Sequence, residues 1–217
     1  MTTTRAERAL ATRRRMVKAA YDQFCVQGYA GTTVASIAQA AEVAVPTIYY
    51  TFGTKAALLA EALGAAVLGF DHWRQPPPDS EIAELLPWHR WSADFQAAPT
   101  SDAALEIFLM NGAKILQRVG ALSPALQGAA SDPEAAEVVR MAEHRRQDAY
   151  REAIRVVAAK PGGLGEGLTL SRATDILMVL FSSDVFHALR TGRRWSATLC
   201  TEFLVELVKG QLLGSSP

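Results

Sequence analysis

Apolar side chains recur every three or four residues along most of this chain, and this spacing constrains the fold more than any other feature. Met16, Ala20 and Phe24 fall on successive turns of one candidate helix, and Leu58 and Ala62 share a face of another. Alternation of apolar and polar residues, the pattern of a half-buried strand, is nearly absent. With 217 residues, 49% of them hydrophobic, the chain can bury one or two cores. The pattern therefore predicts an all-α protein.

Residues that start or end helices divide this pattern into segments. Gly28 stands where the first helix should end, and Thr32 or Thr33 can cap the second. Pro46 fits the first turn of a third helix, where its missing N–H costs no hydrogen bond. Three consecutive prolines at 76–78 cannot continue a helix and follow the fourth. We predict helices from Arg5 or Ala11 to Gln27 and at about 34–41, 46–50, 55–70, 81–97, 101–119, 132–159, 169–190 and 196–213.

Charge is distributed unevenly along the chain. The formal net charge is zero, but residues 1–60 hold seven basic and three acidic side chains, a net +4, which leaves −4 for the remainder. A basic front and an acidic body suit a protein that presents one end to phosphate, although a solvated charged face has the same composition. A general nucleic-acid binder would carry a larger net positive charge.

The second and third predicted helices are short and joined by a tight turn at 42–44, between a longer helix before and another after them. This is the supersecondary pattern of helix-turn-helix DNA binding. The stretch GYAGTTVASIAQAAEVAVPTIYYTFGTKAALL is also similar to the signature of tetracycline-repressor (TetR) type regulators. The resemblance spans about residues 10–70 and is carried by a Thr-Thr pair and a Tyr-x-x-Phe-x-x-Lys run: Thr32, Thr33, Tyr49, Phe52 and Lys55.

The resemblance implies a helix-turn-helix DNA-binding domain at 10–70, with the motif at about 33–52, and a ligand-binding and dimerisation domain at 71–217. Thr33 can cap the second helix and offer its hydroxyl proton to a phosphate, although a plain helix cap is the alternative. Methyl groups at the start of the third helix can contact thymine. The candidate DNA contacts are Thr32, Thr33, Val45, Pro46, Thr47, Tyr49, Tyr50, Thr51 and Lys55.

Other residues of this segment carry expectations of their own. Tyr49 and Tyr50 cannot both face the core, because neighbours on a helix point about 100° apart. Phe52 is expected in the core. Glu42 stands where the family often has glycine, and a left-handed glutamate costs on the order of 1 kcal/mol, so the turn is expected to differ slightly. Arg8 and the arginines at 13–15 could contact the DNA backbone or minor groove, or could be a solvated helix start.

For the remainder, the resemblance implies a bundle of the last two helices across a two-fold axis and a pocket for a small molecule. A wide apolar face supplies the dimer candidates: Leu177, Leu180, Val185, Cys200, Phe203, Leu204 and Leu207. Aromatic and sulfur side chains with a few polar groups suit a mostly apolar ligand. The ligand candidates, which could also be core residues, are Trp88, Trp91, Phe95, Phe108, Met110, Asn111, Met141, His144, Tyr150, Phe181, Asp184 and His187.

These observations predict a cytoplasmic, homodimeric regulator that binds double-stranded operator DNA, most simply a repressor released by an unidentified effector. Activation instead of repression stays open. No membrane span, cofactor, metal site or catalytic residue is expected, since no nucleophile and base stand at a suitable spacing. The alternatives are a helical enzyme or small-molecule carrier with an incidental helix-turn-helix, and a nonspecific DNA-binding protein, which the neutral net charge disfavours.

Overall fold

The computed structural model describes residues 4–71 and 86–213, and within these ranges the chain is α-helical without a strand, as predicted. Short 3₁₀ turns at Leu86–Trp88 and Ala129–Ser131 and a π-helical segment at Ala188–Gly192 complete the described structure. The helices are α1 Arg5–Gly31, α2 Val34–Ala40, α3 Val45–Phe52, α4 Lys55–Leu68, α5 Ser92–Ala97, α6 Ser101–Ala121, α7 Ser123–Gly128, α8 Pro133–Ala158, α9 Leu170–Leu180, α10 Ser183–His187 and α11 Ala197–Leu212.

The described residues form two compact units. The first contains residues 4–71 and 121–142, and the second contains 86–120 and 143–213. The unit that holds the helix-turn-helix thus includes residues 121–142, which the sequence had assigned to the second domain. The functional division into DNA-binding and ligand-binding domains stays a prediction.

In the first unit, α1 packs against α2, α4 and α7. Thr4 begins α1 with a capping box, in which its side chain accepts from the Glu7 N–H and the Glu7 carboxylate accepts from the Thr4 N–H. Gly28 interrupts α1 with φ +68°, and a Cβ there would lie 3.3 Å from the Pro124 carbonyl oxygen of α7. The predicted helix end at Gly28 is therefore a kink, held close to a short helix that the sequence analysis missed.

The core of the first unit comes from the apolar faces that the periodicity picked out. Large side chains that are fully buried fix α1, α2, α3 and α4 together: Met16, Phe24, Ile37, Ile48, Leu58 and Leu59. Each of the four helices contributes at least one of them. At about 1.5–3 kcal/mol for each large apolar side chain removed from water, this cluster is the main source of the unit's stability.

The second unit is built around aromatic rings. Phe108 lies 5.8 Å from Phe95 and from Tyr150, and 6.5 Å from Phe181, measured between ring centroids. The close approach of α6 to this cluster depends on Gly112, because a Cβ there would lie 2.7 Å from the Phe181 ring. The cluster is a packed core to which α5, α6, α8 and the segment after α9 contribute.

The predicted continuous helix at 169–190 is wrong. Helix α9 ends at Leu180, and Phe181 adopts φ −101° and ψ 64° before Ser182 caps α10 through its hydroxyl. Two side chains of α8 bind carbonyls near this break: Arg146 donates to Met178 O at 3.0 Å and Tyr150 donates to Phe181 O at 2.6 Å. The break is stable because these tertiary hydrogen bonds satisfy carbonyls that an uninterrupted helix would have satisfied itself.

The predicted helix at 81–97 is only partly covered, since residues 72–85, with the prolines at 76–78, lie outside the described residues. In the part that is described, a 3₁₀ turn and an irregular stretch precede α5, so the prediction of one continuous helix is wrong there. Among the described residues, no single helix has the length and apolar content needed to cross a membrane. Helices α3 and α4 would reach that length only as a pair, and they are bent by 74° to each other.

Candidate nucleic-acid interface

The turn between α2 and α3 has a residue in the left-handed conformation, and this residue is Glu42 rather than glycine. Glu42 has φ +55° and is exposed, and the Val43 N–H closes the turn on Ala38 O at 3.0 Å. The chain accepts a conformational cost of about 1 kcal/mol at Glu42, and the expected difference from the family's turn stays a prediction. The Glu42 carboxylate is the only charged side chain between Ala41 and Phe52.

Helix α3 has one buried, four half-buried and three exposed side chains. Ile48 alone is buried, with 1% of its surface exposed, whereas Tyr49 is 51% and Tyr50 94% exposed. The sequence analysis expected at least one tyrosine to point outward, and both do. Val45, Thr47 and Thr51 are half-buried and Pro46 is exposed in the first turn. A solvent-exposed aromatic pair on a short helix indicates a contact surface, because such residues are seldom left in water without a partner.

Thr33 caps α2 as predicted, but its neighbour is excluded from the interface. The Thr33 hydroxyl accepts from the Ser36 N–H at 3.0 Å, while its own proton is free for another acceptor. Thr32 is 1% exposed and its hydroxyl donates to Gly28 O at 2.7 Å. The prediction that the Thr32 side chain contacts DNA is therefore wrong, because that side chain closes the end of α1 instead.

Gln23 positions the start of α2, a role that the sequence analysis missed. Its amide nitrogen donates to Ser36 O at 3.0 Å, and its amide oxygen accepts from the Ser36 hydroxyl at 2.6 Å. The two bonds hold Ser36, and with it the cap at Thr33, against α1. No sequence signal marks a half-buried glutamine on a long helix for this role.

Lys55 has an intramolecular role that the resemblance did not imply. The half-buried Lys55 ammonium donates to Tyr29 O at 2.9 Å and to Thr32 O at 3.2 Å, and it lies 4.0 Å from the centroid of the Tyr29 ring. It thus satisfies carbonyls at the end of α1 from the start of α4. Its contact with a DNA phosphate stays a prediction.

Lys55→Met should lower the free energy of unfolding by about 1–3 kcal/mol, because two carbonyls lose a charged donor. Lys18→Met is the matched control: Lys18 pairs on the surface with Asp22 at 2.7 Å and should cost at most about 0.5 kcal/mol. Urea unfolding followed by circular dichroism measures both. Equal stability of the two variants, with weaker DNA binding by Lys55→Met alone, would contradict the structural role.

The first turn of α8 holds the end of α1 and the start of α4. The Tyr29 hydroxyl donates to the Asp132 carboxylate at 2.6 Å, and the Thr54 hydroxyl donates to the Glu134 carboxylate at 2.7 Å. The bond from Tyr29, followed by the Ala135 N–H, lowers the pKa of Asp132, so this contribution to stability is lost only as the pH falls below the usual range of an aspartate. Sequence reasoning saw only a turn at Asp132.

Arg13 is engaged inside the first unit, so its predicted contact with DNA is not available. Its guanidinium forms a bidentate pair with the Glu61 carboxylate, with Nε at 3.1 Å from Oε2, and lies 4.9 Å from the centroid of the Phe52 ring. Phe52 is half-buried under this cation rather than inside the core as expected. Arg8 and Arg15 are exposed on α1 and keep the predicted availability for phosphate.

A comparison with protein families adds an independent observation. Residues 16–62 match the family model described as bacterial regulatory proteins, tetR family. The matched segment runs from α1 into α4 and includes the left-handed turn and the exposed face of α3. Residues 16–62 thus form a domain of the tetR family of bacterial regulatory proteins.

Solved structures agree with this assignment at the level of the fold. A TetR-family regulator from Rhodococcus sp. has a TM-score of 0.65 at 16% identity, covering 92% of this chain and 97% of its own. NalD, the secondary repressor of the MexAB-OprM multidrug efflux pump in Pseudomonas aeruginosa, has 0.60 at 21%, covering 97% and 100%. FadR from Bacillus subtilis, in complex with stearoyl-CoA, has 0.59 at 16%, covering 89% and 96%. No curated protein matches this chain by sequence.

Within the described part of the chain, the ligand candidates fall into separate places. Phe95, Phe108 and Phe181 are buried in the packed core with Tyr150, so the prediction that they face a pocket is not met in this conformation. Met141, His144 and Asp184 are exposed on helix surfaces. Asn111 bonds Ile107 O of its own helix at 2.8 Å. Four candidates are half-buried: Trp88, Trp91, Asn111 and His187. Of these, Trp91 packs against the core of the second unit.

An open groove of about 970 Å³ lies elsewhere in the second unit. Of the residues that the sequence proposed for a pocket, only Met110 lines it. Lys209 spans the groove to Asp102 and Glu106, at 2.9 and 3.0 Å. The lining is mainly acidic and small: Thr100, Ser101, Asp102, Glu106, Met110, Pro161, Gly162, Glu202, Val205, Glu206, Lys209, Gly210 and Leu213.

The predicted dimer residues separate into two groups. Leu177, Cys200 and Leu204 are fully buried in the core of the second unit, so they cannot form a subunit interface, which corrects the prediction. Leu180, Val185 and Leu207 are half-buried and Phe203 is exposed. Val179, 67% exposed, and Leu199 add apolar surface that the predicted set did not include. The apolar stripe predicted on the last helices is thus a core face with a second, exposed face beside it.

Proposed function

We propose that the chain is a homodimeric, ligand-responsive repressor of transcription that binds a near-palindromic operator. The observation that carries this proposal is the exposed face of α3, a short helix that offers Pro46, Tyr49 and Tyr50 to a partner and buries only Ile48. A recognition helix of this kind enters the major groove with its first residues toward the base edges. We place the protein in the cytoplasm, where operator DNA is accessible.

The residues around α3 provide the contacts that position a protein on the DNA backbone. The hydroxyls of Tyr49 and Tyr50 can donate to phosphate oxygens, and the free proton of Thr33 can do the same beside the N-terminus of α2. Arg8 and Arg15 add positive charge on α1. Lys55 contributes to this surface because its bonds hold the end of α1 against the start of α4. An ammonium hydrogen that is not bonded to Tyr29 O or Thr32 O can donate to a phosphate.

The exposed apolar face of the second unit supports a two-fold symmetric dimer. Val179, Leu199 and Phe203 are partly in water in the single chain, and Leu180 and Leu207 are half-buried on the same two helices. A second copy of the same face would bury these side chains. Two recognition helices about 34 Å apart would then fit successive turns of the major groove.

We propose a mostly apolar effector that binds in the second unit. The FadR neighbour from Bacillus subtilis was solved with stearoyl-CoA. We place its site at the aromatic core of Phe95, Phe108 and Phe181, where the effector would have to displace a ring because the rings are closely packed. An effector that prefers the form with low DNA affinity by about 1–3 kcal/mol lowers the affinity for the operator by roughly five- to 150-fold.

Selection of duplexes from a random DNA library by the purified protein tests the proposal. The selected sequence should be a near-palindrome and should bind about 1,000-fold or more tightly than random DNA at about 0.15 M salt, measured by fluorescence anisotropy. The stoichiometry should be two chains to one duplex. A steep dependence on salt without any enriched sequence would instead identify a nonspecific DNA binder and contradict the proposal.

A further inference from the structure

The recognition helix of this chain lacks the side chains that most proteins use to identify bases. Between Ala41 and Phe52 there is no lysine, arginine, asparagine, glutamine or histidine. Arginine and lysine make the bidentate bonds to guanine O6 and N7, and asparagine and glutamine those to adenine N6 and N7. The surface that should face the base edges therefore has no bidentate donor for guanine and no amide for adenine.

The exposed side chains of α3 leave two kinds of base contact. Apolar groups come first in the chain: Val45 is half-buried and Pro46 exposed in the first turn, and the Thr47 methyl follows. Hydroxyls provide single hydrogen bonds, but the Thr51 hydroxyl already donates to Thr47 O at 2.7 Å. In the major groove the one apolar group that identifies a base pair is the C5-methyl of thymine.

We infer that this protein recognises its operator through thymine methyl groups in the major groove, contacted by Val45, Pro46 and Thr47 at the start of α3. The inference rests on the proposed function and names the chemistry by which that site selects DNA. The exposed Glu42 carboxylate in the preceding turn does not supply the missing guanine contact, since it can accept a hydrogen bond but cannot donate one to guanine. The operator half-site is therefore expected to be rich in A·T pairs where α3 meets it.

Uracil substitution in the selected operator tests the inference, because deoxyuridine differs from thymidine only in the missing methyl group. Each contacted thymine replaced by deoxyuridine should weaken binding about threefold to fivefold, and replacements at separate positions should multiply. 5-Bromodeoxyuridine, whose bromine takes the place of the methyl, should restore the affinity. Replacement of guanines by 7-deazaguanine should have no effect.

The matched protein variants are Pro46→Ala and Val26→Ala. Pro46→Ala should bind the thymine and uracil operators with nearly equal affinity at the contacted position, whereas Val26→Ala, which removes an exposed valine from α1, should keep the full uracil effect. Equal binding of thymine and uracil operators by the unaltered protein, or a loss with 7-deazaguanine, would overturn the inference while leaving the proposed function intact. A library that yields no enriched sequence would overturn the proposed function, and this inference with it.

Discussion

Alanine at both Tyr49 and Tyr50 should weaken binding to the selected operator about a hundredfold while the melting temperature stays unchanged. Both rings are largely in water, so their removal creates no cavity, and exposed substitutions usually change stability by at most about 0.5 kcal/mol. Two hydrogen bonds to charged phosphates, each contributing about 1.5–3 kcal/mol, account for a loss of at least this size. Fluorescence anisotropy and thermal unfolding measure the two effects separately.

Two further variants identify the groups responsible. Phenylalanine at both positions keeps the rings and removes the hydroxyls, so it should reproduce most of the loss if the hydroxyls bind phosphate. The slope of affinity against salt concentration should not change, because a neutral phenol releases no counterion. Val26→Ala is the control for an exposed apolar residue of the same unit. Unaltered operator affinity in the double alanine variant would contradict the assignment of α3 as the recognition helix.

Phe181→Ala should lower the free energy of unfolding by about 3–5 kcal/mol, the largest stability effect expected from a single substitution in the second unit. The ring is fully buried, lies 6.3 Å from the Tyr150 centroid and packs against Gly112 of α6. The hydrogen bond from the Tyr150 hydroxyl to the Phe181 carbonyl is made by the backbone and remains. The decrease in the free energy of unfolding therefore measures the lost packing of the Phe181 ring and the cost of the cavity that it leaves.

Urea unfolding measures this loss, and Leu170→Ala is the control. Leu170 begins α9 and is 45% exposed, so its truncation should cost at most about 0.5 kcal/mol. Phe181→Leu should recover most of the stability, since it fills most of the cavity. A cost below about 1 kcal/mol for Phe181→Ala would mean that the aromatic cluster closes around the space or was never tightly packed.

Local chemistry was enough to predict much of the fold. The all-α class, the ends of α6, α8 and α11 to within two residues, the cap at Thr33 and the first turn at Pro46 all follow from apolar spacing and backbone hydrogen bonding. The break at Phe181 could not be predicted in this way. Neither proline nor glycine stands there, and the carbonyls near it are satisfied by Arg146 and Tyr150, which are more than thirty residues away in sequence.

The candidate site was predicted less completely, for a similar reason. The exposure of Tyr50 agreed with expectation, but Thr32 and Lys55 satisfy backbone groups of the protein itself. The sequence does not show whether a threonine or lysine beside a recognition helix binds a DNA phosphate or a backbone carbonyl of the protein. On the last helix, Leu204 and Phe203 belong to adjacent apolar faces, one internal and one exposed, and periodicity cannot assign which of them meets a second subunit.

Helix α3 has one fully buried side chain, Ile48, and this has an evolutionary consequence. The other side chains of the helix are exposed or half-exposed, so substitutions at Pro46, Tyr49 and Tyr50 change the surface offered to DNA without a compensating change in the core. After a gene duplication, a second copy could acquire a different operator through a few exposed positions and keep its effector response. Because Ile48 is buried and the candidate DNA contacts Pro46, Tyr49 and Tyr50 are exposed, the operator sequence that this chain recognises can change while the fold is retained.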